Sequence, residues 1–370
     1  MISKCVRGVR RYRLSLVAVW TVIAAVALPL SPTAIAAGGL PPGAPPEWAQ
    51  ICDTIRQAGT NLRRGTNCRV VRQNGFLRRY IVYVPRNPAF DPSEPKPLVI
   101  MFHGTGGDGE RFYRISGWRQ KAEQEGLVVV FPTGVRYRIF ESGRLKTKWH
   151  SFNLPGLVDL NERPDGYPVN GPWPANDIGL VRKLVADVQQ GWPIDPVRRY
   201  ITGFSNGAEF AARVSVDLSA TFAAAAWVAG GLDRFRDPAR NMPVMIELGT
   251  LDDRVLAKVN AADPPPNPPV IGLPLDPTQL LALEVIDRFV DTHVRTYDLR
   301  RGPPDVAVRF AYRSILVWRT RRPGNNDGNL VDVRVLAGLT HRYPNGSNNP
   351  EGHSAPNVFW RFFEAHPAQP

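Results

Sequence analysis

The sequence predicts an α/β fold, with a mainly parallel central sheet flanked by helices. Two observations carry this. Short, largely apolar runs recur along the chain, as buried strands show: Leu98–Phe102, Leu127–Phe131, Tyr200–Phe204, Ala223–Val228 and Val244–Leu248, with Val331–Leu336 as a last core strand. Segments with helical periodicity lie between them, and strands alternating with helices build a sheet covered on both sides.

Taken in order, Arg79–Val84 alternates and stops at Pro85, which reads as a strand. Ile178, Val181, Leu184, Val185 and Val188 fall on one helical face after a cap candidate, Asn176 or Asp177. Leu280–Val290 and Val358–Phe363 are further helix candidates. Two stretches interrupt the rhythm. Residues 133–174 are polar, aromatic and rich in Gly and Pro, and residues 262–277 are dense in Pro. Loops of this length inside a domain are usually functional or disordered. The first follows the C-terminal end of a strand, where α/β sheets place ligands. Substrate contacts are therefore expected in it, Trp149 among them.

The 370 residues are 43% hydrophobic and 21% charged, a globular composition. Lys and Arg number 46 against 33 Asp and Glu, a net charge of +13. Apart from the N-terminus the cations are scattered among acids, which argues against a nucleic-acid partner. Lys4, Arg7, Arg10, Arg11 and Arg13 form a positive head, Leu14–Leu28 is apolar, and Ala34-Ile35-Ala36 follows. That pattern reads as a secretory signal peptide over 1–36, with no stable membrane anchor expected once it is removed. A lead-in segment is expected at 37–74, Gly/Pro-rich at its start, and one catalytic domain at 75–370. Beyond Cys5, in the signal, only Cys52 and Cys68 remain, and an even pair in an exported chain suggests a disulfide. The six His show no H-E-x-x-H spacing, so no metal site is expected.

The chemistry concentrates in four turns. Gly203-Phe204-Ser205-Asn206-Gly207 fits G-x-S-x-G between an apolar run and a helical one (Ala208, Phe210, Ala211, Val214), as a nucleophile turn requires. His103-Gly104-Thr105-Gly106-Gly107 follows the run Leu98–Phe102. A developing oxyanion needs fixed N–H donors, and the backbone amides of Thr105 and Asn206 are the candidates. His103 itself reads as a brace for its turn. A serine needs a base, and the base an orienting carboxylate. Asp252 and Asp253 compete for the second role, after the run Val244–Leu248. His341, in the loop after Val331–Leu336, is the candidate base. His353 is its rival, and His293 and His366 read as structural.

Together the segments LVIMFHGTGG, the Trp149 region, NDIGLVRKLV, RRYITGFSNGAEFA, FAAAAWVAG, ELGTLDD and GLTHRYPNG resemble the secreted polyhydroxybutyrate depolymerase-like esterases. That group also includes feruloyl and acetylxylan esterases. The resemblance spans about residues 75–365. It implies an α/β-hydrolase fold, no cofactor, an ester substrate, and a Ser205–Asp252–His341 triad, so that it favours Asp252 over Asp253. Four positions depart from the family pattern: Ala208 stands where a Gly is usual, Leu248 where a His is common, and Leu339 and Thr340 where glycines precede the base. The substrates it suggests are hydroxyalkanoate polyesters or their oligomers, or acyl esters on plant polysaccharide.

Overall fold

The computed structural model describes residues 51–368 except 53, 60, 165, 301, 320–328 and 350. The expected signal peptide at 1–36 and the Gly/Pro stretch after it lie outside the described residues. Among the described residues, no helix is long and apolar enough to cross a membrane.

In chain order the elements are β1 (Ile55–Gln57), β2 (Gly65–Gln73), β3 (Phe76–Val84), β4 (Lys96–Phe102), α1 (Gly109–Ile115), α2 (Trp118–Glu125), β5 (Val128–Pro132), β6 (Val135–Ile139), β7 (Leu145–Lys148) and β8 (Val158–Asp159). Then follow α3 (Asp177–Gly191), β9 (Ile194–Phe204), α4 (Asn206–Asp217), β10 (Ala224–Val228), β11 (Val244–Gly249), α5 (Asp253–Asn260), α6 (Pro277–Leu281) and α7 (Glu284–Thr296). The last are β12 (Val306–Arg309), β13 (Arg313–Arg319), β14 (Leu330–Leu336) and α8 (Ala355–Glu364).

The main sheet has the strand order β1-β2-β3-β5-β4-β9-β10-β11-β14-β13-β12. From β5 across to β14 every neighbouring pair is parallel, whereas β3 is antiparallel to both β2 and β5. The eight strands from β2 to β14 thus follow the α/β-hydrolase order. From β4 the chain winds one way to β5 and the other way to β9. The carboxyl ends of β4 and β9 therefore flank a switch point, the crevice where such sheets bind ligands.

Strand side chains alternate between two cores. Leu98, Ile100 and Phe102 face one side with α3, α4 and α7. Val99 and Met101 face the other with α1, α2 and α8. Helix α3 forms because Asn176 accepts a hydrogen bond from the Gly179 amide (2.8 Å) and the Ile178-Val181-Leu184-Val185-Val188 stripe is buried. Pro193 follows its end and cannot continue it.

Four expectations are revised. The segment 37–74 is not only a lead-in: β1 and β2 lie in the main sheet, β2 paired along its whole length with β3. Its polar sequence disguises it, because Arg69 is buried against Asp187 at 2.8 Å, and Tyr80 donates to the same carboxylate. In the same segment Cys52 and Cys68 form the expected disulfide, with their Cα atoms 5.7 Å apart. The 133–174 insertion contains a second sheet, β7-β6-β8, over its own core of Val135, Tyr137, Ile139, Leu154 and Val158. The helix expected at 280–290 is two helices, since Asp276 caps α6 and Leu283 turns extended before α7. The hairpin β12–β13 extends the sheet beyond β14, the last core strand that the sequence suggests. The Pro-rich stretch runs without a helix or strand as far as α6. Two hydrogen bonds between the Asn260 side chain and the Val270 backbone pin it, both 2.8 Å.

Candidate active site

Ser205 sits between β9 and α4 at φ 54° and ψ −123°, a strained conformation for a residue with a Cβ. Such a position costs about 1–3 kcal/mol and must be enforced by its surroundings. Close packing enforces it. A Cβ on Gly203 would overlap the Gly207 carbonyl, and a Cβ on Gly207 would overlap the carbonyls of Phe102 and His103. Ala208 fits where a Gly is usual because Gly230 faces it. A Cβ on Gly230 would lie 2.8 Å from that of Ala208.

His341 and Asp252 converge on the serine. The Ser205 Oγ lies 3.0 Å from His341 Nε2, and His341 Nδ1 lies 3.0 and 2.9 Å from the two Asp252 oxygens. With a carboxylate facing Nδ1, that nitrogen carries the proton and Nε2 is left to accept one from Ser205. Asp252 is also the N-cap of α5, accepting from the amides of Arg254 (2.9 Å) and Val255 (3.2 Å). Asp253 is exposed and makes no hydrogen bond to the imidazole; it pairs with Arg254 at 3.8 Å. The two loops are joined to each other. Thr250 accepts from the Gly338 amide at 2.9 Å, and the Leu251 amide donates to Leu339 at 3.0 Å. Leu248, Leu339 and Thr340 thus replace the family pattern without displacing the acid or the ring. The Phe204 ring lies 4.9 Å from the imidazole, centroid to centroid.

The candidate oxyanion turns meet at the same point. A Cβ on Gly104 would lie 3.3 Å from the Ser205 Cβ, so the His103–Gly107 turn passes directly beside the serine. His103 is fully buried; its Nδ1 donates to the Gly104 carbonyl (2.8 Å), and its Nε2 accepts from the Gly134 amide (2.9 Å). Burial lowers its pKa to about 4, so it is a neutral brace, as its position suggests.

Trp149 is corrected. The sequence places it against substrate, but its side chain is wholly buried. Its ring stacks on Phe210 at 5.2 Å, and its indole N–H donates to the His103 carbonyl at 2.9 Å. Asn206, a candidate for its backbone amide alone, also works through its side chain, which accepts from the Trp149 amide at 2.7 Å. It also donates to Glu209, at 3.3 Å. No local signal points to the contact with Trp149, which joins residues 57 apart in sequence. His353 takes no part in this arrangement and bonds Glu247 at 2.8 Å. His293 accepts from the Leu232 amide, and His366 bonds the Phe362 carbonyl.

Among the described residues, Asp252, Asp253 and His341 are the group whose ligand atoms lie close enough, within 4.8 Å, to hold a metal ion. The Asp252 oxygens are already taken by the imidazole and two helix amides.

Strand order and the strained serine turn define the chain as an α/β-hydrolase by fold. No protein-family model matches it. It is 28% identical over 198 residues to "Putative esterase NocK" of Nocardia uniformis subsp. tsuyamanensis. The match covers 52% of this chain and 51% of that protein, so it spans about half the length of this curated relative. In shape it is similar to an acetyl xylan esterase from Aspergillus awamori, with a TM-score of 0.46 and 14% identity over 78% of this chain and 94% of that one. It is also similar to an S-formylglutathione hydrolase from Agrobacterium tumefaciens, with a TM-score of 0.47 and 13% identity over 83% and 98%.

Proposed function

We propose that the chain is a secreted serine carboxylic-ester hydrolase that works through an acyl-enzyme, on hydroxyalkanoate polyester oligomers or related esters. The observation that carries the reading is the Ser205–His341–Asp252 line at hydrogen-bond distance. The esterase name of the relative it matches over half its length supports the reaction class.

In this reading Ser205 Oγ attacks the ester carbonyl while His341 Nε2 takes its proton. The tetrahedral oxyanion is held by the amides of Thr105 and Asn206, each such donor being worth about 3 kcal/mol. His341 then returns the proton to the leaving alcohol. Asp252 keeps the imidazole in the tautomer this needs and stabilises it when charged. Water repeats the sequence on the acyl-enzyme and releases the acid. An aliphatic acyl group is supported by Leu251, which adjoins the acid in sequence and is 46% exposed. Export is supported by the Cys52–Cys68 disulfide, since such bonds persist in oxidising compartments.

The test is hydrolysis of p-nitrophenyl esters of increasing acyl length and of hydroxybutyrate oligomers, wild type against Ser205→Ala. Hydrolysis by wild type alone supports the reading. Equal rates in both proteins overturn it. A preference for feruloyl or acetyl-polysaccharide esters over hydroxybutyrate oligomers would replace the substrate class and keep the mechanism.

A further inference from the structure

The end of β7 touches both candidate oxyanion turns with three consecutive residues. The Gly106 amide donates to the Thr147 carbonyl at 2.8 Å, and the Thr147 hydroxyl donates to the Gly107 carbonyl. Lys148 Nζ donates to Thr105 Oγ1 at 3.1 Å. The Trp149 amide donates to Asn206 Oδ1 at 2.7 Å, and Asn206 Nδ2 returns a bond to the Trp149 carbonyl at 3.4 Å. The strap is itself held in place: β7 pairs with β6, and Gly134 packs so tightly on the Lys148 carbonyl that a Cβ there would lie 2.7 Å from it.

Lys148 is the unusual member. It is only 6% exposed, while Thr105 is exposed. Among the described residues, no carboxylate forms an ion pair with it. Burial lowers its pKa; Glu209 and then Glu141 oppose that shift, while Lys146 and Lys258 add to it. Burying an ammonium against a hydroxyl is a poor way to stabilise a fold. Departures of this kind concentrate where a protein is shaped for function.

We propose that Lys148 is a positioning residue of the oxyanion hole: it holds Thr105 by its side chain while Trp149 holds Asn206, so that one three-residue strap sets the spacing of the two donor amides. The inference rests on the esterase reading above. It acts on the transition state, because the donors must lie where the oxyanion forms, not where the ground-state carbonyl sits. Small displacements of such groups cost rate without costing substrate affinity.

The experiment compares Lys148→Met, Thr105→Val and the double variant with wild type on the best p-nitrophenyl ester. A trifluoromethyl ketone, which adds to the serine as a tetrahedral oxyanion, serves as the transition-state probe. Lys148→Met is expected to lower kcat roughly ten- to a hundred-fold, with KM within about two-fold, and to weaken the ketone by the same factor as kcat. Thr105→Val should match it, and the double variant should be no slower than either single one. Wild-type kcat in Lys148→Met overturns the proposal. A change confined to KM also overturns it, since Lys148 would then be binding an anionic part of the substrate. Additive losses overturn it as well. If Lys148→Met fails to fold by circular dichroism, Thr105→Val decides alone, and wild-type kcat there overturns the strap. Equal inactivity of wild type and Ser205→Ala would remove the esterase reading and this inference with it, whereas an active wild type beside an unaffected Lys148→Met removes only the inference.

Discussion

Asp252 receives His341 Nδ1 on both carboxylate oxygens, at 3.0 and 2.9 Å, while the same carboxylate caps α5. One side chain therefore serves two purposes, and the two can be separated. Asn is as good an N-cap as Asp but cannot hold a charged imidazole. Asp252→Asn should lose activity by about 10⁴-fold, the scale seen when other triads lose their carboxylate, with little change in Tm. Asp252→Ala should lose the same activity and in addition about 1 kcal/mol of stability. Asp253→Ala should keep wild-type kcat. Paired kinetic and melting measurements check all three, and a fully active Asp252→Asn would remove Asp252 from the mechanism.

Ala208 and Gly230 share one small space. Gly230→Ala should therefore destabilise by roughly 1–3 kcal/mol through overpacking. Ala208→Gly in the same chain should recover part of that loss and not all, because a Cβ at 230 also lies 2.7 Å from the Ser205 carbonyl. Urea midpoints of the two single variants and the double one measure the coupling. Strictly additive effects would show that the two positions do not compete.

The Cys52–Cys68 bridge closes a loop of sequence separation 16. A cross-link of that span stabilises by about 3 kcal/mol on the chain-entropy account. Reductant should lower the Tm of the wild type and leave Cys52→Ser/Cys68→Ser unmoved. An equal Tm with and without reductant, with thiols titrated to prove reduction, would remove the bridge from the stability account.

Acid should weaken the fold through two buried imidazoles. Burial lowers His103 and His293 each to about 4 from 6.5. In the unfolded chain each takes up a proton near pH 6.5, whereas in the folded chain it resists until about pH 4. Their contribution is therefore whole above about pH 6.5 and is lost as pH falls toward about 4, on the order of a few kcal/mol for each. Urea midpoints at about pH 7 and about pH 5, on either side of the unfolded-chain value, should show the fall. His293→Gln, which removes one of the two groups, should be weaker at neutral pH and lose less between the two conditions. An unchanged slope in that variant would assign the acid sensitivity to other groups.

Much of the architecture is legible because its signals are local. The runs Leu98–Phe102 and Leu127–Phe131 are apolar over their whole length because both faces of a central strand are covered. The Ser205 turn is legible because a strained turn needs small residues on either side, and Gly203 and Gly207 are there. Strand β2 is not legible. Arg69 looks like a surface residue until Asp187, 118 positions away, neutralises it in the interior. Strand β6 carries an alternation of Val135, Tyr137 and Ile139 with Arg136 and Arg138, but Pro132 and Gly134 before it and Gly143 after it make the region read as a loop.

The sequence by itself determined the succession of central strands and helices along the chain, the serine turn, the candidate oxyanion turn and the acid and histidine loops, since each is written in residues a few positions apart. Between Asp252 and Asp253 the residue types left the choice open, the family resemblance favoured Asp252, and the packed chain puts Asp252 on the imidazole. The two are chemically identical neighbours, and the direction of the chain at the start of α5 brings one into hydrogen-bond contact with His341 and leaves the other exposed, without a bond to the ring. Tertiary structure alone decided that Trp149 is a buried brace and that Lys148 reaches Thr105. Those outcomes depend on where β7 comes to lie against turns 43 to 57 residues away. Burial and contact at that separation are properties of the packed chain, and no local pattern of residue types encodes them.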